Sequence, residues 1–265
     1  MTMVSDAALA IAADKAGIVG SISCPGRSFE WSEKEIKKFI GNRKHRNFVL
    51  AIDKLDHTNN PIVLLVKKYK PKYVVFLIPQ RENVEKLKKT LSWVKEYGGK
   101  TIFRTSSIDL IDENLLPDYY TLKGHESAGR YNDNLTTIQM AKIFKEKFSK
   151  VDFICTGGLY TKDEIEECFK VGASAVEIGT PFAVSKESSI DEKTKLSMLT
   201  NSKYYPAINP RGAKERVHSP NNIYDLSAGV KNINKGHVLI GKRANELPKA
   251  IRSVEEIAKV LLPNR

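Results

Sequence analysis

Short β-branched or aromatic runs recur along this chain, each followed by a helical pattern. Their starts lie roughly 20 to 30 residues apart, the length of one strand-plus-helix unit. Seven such runs read as buried strands: Ile18 to Ser23, Asn47 to Ile52, Lys72 to Ile78, Lys100 to Arg104, Asp118 to Lys123, Val151 to Cys155 and Ala175 to Ile178. Helices are predicted over Asp6 to Lys15, Ser32 to Ile40, Pro61 to Lys70, Arg81 to Tyr97, Thr136 to Phe148 and Thr161 to Val171. Alternation of this kind specifies a parallel sheet covered by helices. Seven or eight units in 265 residues suit a closed (β/α)8 TIM barrel better than an open doubly wound sheet. An open sheet of that size usually carries a nucleotide turn after its first strand, and neither GxGxxG nor GxxxxGK[ST] occurs here. Only Met1 to Met3 precede the first helix, so the first strand is expected to be truncated or missing.

Local signals refine the boundaries. Thr161 with Glu164, and Ser32 with Glu35, each fit a capping box. After Thr180 the rhythm changes. Glu187 to Leu199 is compatible with a helix, whereas residues 201–236 are rich in Asn, Pro, Gly and Ser and read as an irregular insertion over one barrel face. Helical spacing returns from Leu247 to Leu262. No linker divides the chain, so a single domain over residues 1–265 is expected.

Composition narrows the class. With 41% hydrophobic and 28% charged residues, a packed core is expected rather than disorder. No stretch is apolar enough for a spanning helix and no signal peptide opens the chain, so a soluble cytoplasmic protein is expected. Lys and Arg number 43 against 31 Asp and Glu, a net charge of +12, but the lysines are interleaved with Glu at helical spacing. That pattern describes solvated helix faces and does not call for nucleic acid. Cys24, Cys155 and Cys168 have neither CxxC spacing nor a nearby His cluster, so no disulfide framework or metal site is expected.

Two sets of residues stand where a barrel displays chemistry. Phe153 to Cys155 runs into Thr156, Gly157 and Gly158, and Val176 to Ile178 runs into Gly179 and Thr180. Glycines after successive strands let backbone amides approach an anion, and a helix N-terminus adds partial positive charge, which makes a phosphate site. The second set is Lys123-Gly124-His125-Glu126-Ser127-Ala128-Gly129-Arg130, at the end of an earlier strand. His125 can serve as acid or base near neutral pH, whereas Arg130 stays protonated.

Gly124 to Arg130 resembles the GxEAGGH or GxESGGH motif of the FMN-dependent nitronate monooxygenase family, also called 2-nitropropane dioxygenase-like. Thr156 to Ala183, TGGLYTKDEIEECFKVGASAVEIGTPFA, is similar to that family's second motif. The opening SDAALAIAADKAGIVGSIS and the closing IGKRANELPKAIRSVEEIAKVLL also resemble it, and related flavin enoyl reductases share both motifs. The resemblance implies an FMN-binding barrel that takes electrons from a nitronate, or from NAD(P)H in the enoyl reductases. Gly157, Gly158, Gly179 and Thr180 would hold the FMN phosphate, Met3 would lie beside the isoalloxazine, and Lys123, Gly124 and Glu126 would border the pocket. Where the family places its active-site His, this chain has Arg130, which could bind an anionic substrate or stabilise reduced flavin by its charge. His125 is a possible substitute. Pro206 to Ser219, with Arg211, Arg216 and His218, falls where relatives place a substrate-covering segment, and a lid and a subunit contact are both open.

Three functions follow as expectations. The first is oxidation of alkyl nitronates with O2, with His125, Glu126 and Arg130 as the catalytic candidates. The second is NAD(P)H-dependent enoyl-thioester reduction, with an acidic acyl carrier protein drawn to the basic surface. The third is a degenerate barrel that binds flavin or a partner without turnover.

Overall fold

The computed structural model describes residues 4–52, 61–77, 84–111, 117–132, 134–200, 204–208, 214–218 and 238–262. They fall into two compact units: residues 1–121 with 150–152, and residues 122–149 with 153–265. The candidate first strand at Met1 to Met3 lies outside the described residues.

Unit one alternates helix and strand: α1 (Ala7–Lys15), β1 (Ser21–Ser23), α2 (Phe29–Arg43), β2 (Val49–Ile52), α3 (Ile62–Tyr69), β3 (Tyr73–Leu77), α4 (Val84–Glu96) and β4 (Lys100–Thr105). Its strands pair in chain order and in parallel, with Ser21 opposite Val49, Val49 opposite Tyr73 and Tyr73 opposite Lys100. Leu50, Ala51, Ile52, Val74, Val75 and Phe76 are all buried, so both faces of β2 and β3 are covered. Such strands read as near-continuous apolar runs, which is how they were legible. Phe103 stacks edge-on between Phe76 and Tyr120, extending this core toward β5 (Tyr119–Lys123), whose last two residues belong to unit two.

One cap differs from expectation. Helix α2 starts at Phe29, and its N-cap is Ser28, whose hydroxyl accepts from the Trp31 amide at 3.2 Å. Ser28 has Trp rather than Glu or Gln three residues on, so the pattern drew attention to Ser32 instead. Ser32 lies inside the helix and donates to the Ser28 carbonyl at 2.8 Å. Glu35 is buried and reaches across to α1, accepting from the Ala7 amide at 2.8 Å. It caps a neighbouring helix rather than its own.

Unit two contains β6 (Gly129–Arg130), α5 (Thr137–Lys147), β7 (Asp152–Thr156), α6 (Lys162–Lys170), β8 (Ala175–Glu177), α7 (Thr180–Ala183) and α8 (Glu192–Thr200). It continues with β9 (Tyr204–Ile208), β10 (Lys214–His218), β11 (Val238–Leu239) and α9 (Val254–Leu261). Strands β7 and β8 are parallel, with Thr156 opposite Glu177. The α6 capping box is present as predicted: Thr161 accepts from the Glu164 amide, and Glu164 accepts from the Thr161 amide.

Two expectations change here. Strands β9 and β10 pair antiparallel, and β10 also pairs with β6 and β11, so the described parts of residues 201–236 are ordered strand rather than irregular excursion. The β10–β6 pairing joins segments far apart in sequence, which local periodicity does not register. The last helix begins at Val254 under a Ser253–Glu256 capping box, not at Leu247. Pro248 disfavours a helical conformation at Leu247, and Ala244–Glu246 forms only a 3-10 turn.

The Glu35 cap is testable by urea denaturation. Glu35→Ala leaves the Ala7 amide buried without its acceptor and is expected to cost about 2 kcal/mol, whereas Glu35→Gln, which keeps an oxygen there, costs less.

Candidate functional site

All described site residues belong to unit two. Thr156 ends β7, and its carbonyl accepts from the Ser127 hydroxyl at 3.1 Å and the Thr137 hydroxyl at 3.0 Å. The Gly157 carbonyl also accepts from Thr137, at 3.0 Å. A trans peptide sets its N–H opposite its C=O. The amides of Gly157 and Gly158 therefore point away from Ser127 and Thr137. Among the described residues, no protein acceptor engages the amides of Gly157, Gly158, Gly179 or Thr180. Because Thr156 and Glu177 are in register, both turns leave the same end of two neighbouring parallel strands, about 4.8 Å apart.

The two glycines are required for a second reason. Their φ angles are 108° and 69°, in the region that strains residues with a Cβ. A Cβ on Gly157 would overlap Ser127, and one on Gly158 would lie 2.6 Å from the Glu126 Cβ. The space above their α-carbons is thus taken by the 124–130 loop, and an anion would meet their amide edges.

The N-terminus of α6 carries its own carboxylate. Glu164 accepts from the amides of Tyr160 at 2.7 Å and Thr161 at 3.0 Å. Burial raises the Glu164 carboxyl, but these amides and Arg243 outweigh it and hold the group below its ordinary value. Arg243 pairs with Glu164 and Glu246 and donates to the Gly158 carbonyl at 3.3 Å. The helix end invoked from sequence is filled by the protein's own carboxylate.

Thr180 is buried, and its hydroxyl oxygen accepts from the Gly241 amide at 3.1 Å, leaving its hydrogen to donate. Tyr160 places its hydroxyl beside Thr180 and Gly241, where a Cβ on residue 241 would collide with it. Burial pushes the Tyr160 phenol up to about 12, against the lowering contributed by Thr180 and Arg243, so it stays neutral. Sequence reasoning missed Tyr160 and Gly241. The only signal for Gly241 was the closing IGK, and Tyr160 carried none.

The 123–130 loop is tied down along its length. His125 donates its amide to the Leu135 carbonyl at 2.7 Å, and Lys242 donates its amide to the Glu126 carbonyl at 3.1 Å. Lys123 donates to the Ala128 carbonyl at 2.8 Å. Glu126 accepts from the Thr137 amide at 3.1 Å and so serves the start of α5. Arg130 pairs through its backbone with Glu215 of β10. Its side chain lies outside the described residues, as do Met3 and Arg211.

Arg216 was named from sequence only as part of a covering segment, yet it is central here. It is 2% exposed, and its guanidinium donates to the carbonyls of His125 at 3.1 Å and Ser127 at 2.7 Å. It also lies 4.3 Å from the ring centre of Tyr131 and 4.8 Å from that of Tyr204. Among the described residues no carboxylate pairs with it. Lys242, exposed, places its ammonium 3.0 Å from His125 Nε2. His218 is buried against the Ser197 hydroxyl at 3.1 Å, remote from these groups in its contacts. Cys155 and Cys168 are both buried, and the neighbouring Cys168 thiol together with burial pushes the Cys155 thiol far up, so it remains a protonated core group.

An apolar cavity lined by Tyr160, Pro181, Val184, Leu199, Leu247 and Leu261, among others, adjoins this region, but of the residues above it includes only Tyr160. No helix among the described residues is long and apolar enough to cross a membrane.

Helices alternating with parallel strands define the class: a (β/α)8 barrel fold. The family can then be named. Residues 47–205, more than half of the chain, match the sequence model of nitronate monooxygenase, and the chain belongs to that family of flavin-dependent oxidoreductases. Solved structures agree on the fold. FabK from Thermotoga maritima is similar with a TM-score of 0.81 at 20% identity, covering 98% of this chain and 89% of that one. Nitroalkane oxidase from Streptomyces ansochromogenes is similar with a TM-score of 0.77 at 14% identity, covering 98% and 92%. The enoyl reductase domain of MlnA from Bacillus amyloliquefaciens is similar with a TM-score of 0.66 at 15% identity, covering 82% and 61%. No curated protein matches the chain in sequence.

Two outcomes check this geometry. Gly158→Ala is expected to destabilise the protein by about 2 kcal/mol in urea denaturation, from backbone strain and the Glu126 contact. The Glu164 carboxyl is depressed below its usual 4.5, so the stability it contributes is complete above that pH and is lost as pH falls through the folded value. Glu164→Gln is expected to flatten the acid limb of a stability-against-pH curve, measured by the same denaturation.

Proposed function

We propose that this chain is an FMN-dependent oxidoreductase that oxidises alkyl nitronates with O2. The observation that carries this reading is the set of four unengaged amides, Gly157, Gly158, Gly179 and Thr180, on two turns that leave neighbouring strands in register. Free amide donors on such turns suit the oxygens of a phosphate monoester. The Thr180 hydroxyl adds a donor, and Tyr160 and Gly241 hold it in place. When bound, FMN supplies two-electron oxidation and reduction at its ring system.

The chain's own residues then do the rest. Ser127 and Thr137 fix the peptide planes of the first turn, so its donors are oriented before the ligand arrives. Arg216 and Lys242 add positive charge around the 124–129 loop, and among the described residues neither is paired with a carboxylate, which favours an anionic substrate. A nitronate is already ionised and needs no base to remove its proton. That fits a site in which Arg130 occupies the position where the family's active-site histidine stands. Lys123 and Gly124 border the pocket, and Glu126 shapes it by packing on Gly158 and accepting from the Thr137 amide.

The test is an absorption spectrum of the purified protein after loading with FMN and removal of the excess, followed by turnover. The reading predicts a bound flavin band and oxygen consumption with an alkyl nitronate. An activity that instead requires NAD(P)H and an enoyl-thioester would replace it with enoyl reduction, and an acyl carrier protein would then be the partner. A colourless protein that takes up no FMN would leave a barrel without redox turnover.

A further inference from the structure

The loop histidine has its tautomer set by its neighbours. His125 Nε2 lies 3.0 Å from the Lys242 ammonium. An ammonium has three donors and no acceptor, so in this contact Lys242 donates and Nε2 accepts. A neutral imidazole with an accepting Nε2 carries its proton on Nδ1. Among the described residues, His125 Nδ1 is buried with no hydrogen-bond partner. The ring is further held edge-on to Tyr131 at 5.9 Å, and Tyr131 in turn lies under the Arg216 guanidinium. Arg216 grips the His125 carbonyl. Both the backbone and the ring of His125 are therefore fixed, from two elements far away in sequence.

We propose that Lys242 is a positioning residue that locks His125 as the neutral Nδ1–H tautomer, making Nδ1 a hydrogen-bond donor held for an acceptor oxygen of the substrate. The inference rests on the reading of this site as an oxidoreductase pocket, and it assigns the loop its donor at residue 125. The ligand chemistry is an anionic or strongly polarised oxygen, such as that of a nitronate or a thioester carbonyl. A buried donor without an acceptor costs about 1–3 kcal/mol, so a ligand that supplies the oxygen recovers that cost on binding. Lys242 and Arg216 also make the surroundings positive, which favours a negative ligand.

The test reads the tautomer directly and needs no flavin and no turnover. Protein labelled with 15N-histidine is examined by long-range 1H–15N spectra at neutral pH, with His125→Gln to assign the signals. The wild type is expected to show a protonated Nδ1 and an unprotonated Nε2. Lys242→Met is expected to shift the population to the Nε2–H form, and Lys242→Arg, which still donates, to retain the wild-type pattern. A wild type with its proton on Nε2, or a pattern unchanged in Lys242→Met, overturns the proposal. In protein loaded with FMN, Lys242→Met is expected to lower kcat about tenfold while flavin binding is unchanged. If no flavin binds at all, the functional reading fails while the tautomer result still stands or falls by itself.

Discussion

Everything at the candidate site depends on how one pair of peptide planes is oriented. The carbonyls of Thr156 and Gly157 are held by the hydroxyls of Ser127 and Thr137, and the amides of Gly157 and Gly158 are forced to face the other way. A different register of the 124–130 loop would remove the Ser127 contact and let the turn rotate. The loop is in turn fixed by Arg216, Lys242 and Leu135, which come from three other segments. The donors at the strand ends are therefore preorganised by a chain of contacts that begins at β10.

That chain of contacts runs through a cation that, among the described residues, no carboxylate pairs with. A buried guanidinium is costly unless its donors are satisfied. Arg216 satisfies its terminal nitrogens with main-chain carbonyls and its faces with two tyrosine rings, and keeps its charge. The Arg243 guanidinium, by contrast, is spent on Glu164 and Glu246 and serves to join the turn to the segment after β11.

The parallel strands were legible because burial on both faces leaves continuous apolar runs, as at Val74 to Phe76. The α6 start was legible because its capping box is local. At Gly157 and Gly158, φ and the packing of Ser127 and Glu126 demand glycine before any ligand does. The capping box that marked the helix also places the Glu164 carboxylate at its start. Arg216, Tyr160 and Lys242 act through partners 80 or more residues away, and no periodicity or motif carries that information. The pairing of β10 with β6 was hidden for the same reason.

The central claim is that the amides of the two turns bind the phosphate of a flavin nucleotide. The most direct measurement compares the affinity of the purified protein for FMN with that for riboflavin, which has the same ring and lacks the phosphate. The account predicts that FMN binds at least about 100-fold more tightly, since charge-assisted hydrogen bonds to preorganised amides contribute about 3 kcal/mol or more together, and that Gly158→Ala narrows the difference. Equal affinities for the two flavins would contradict it.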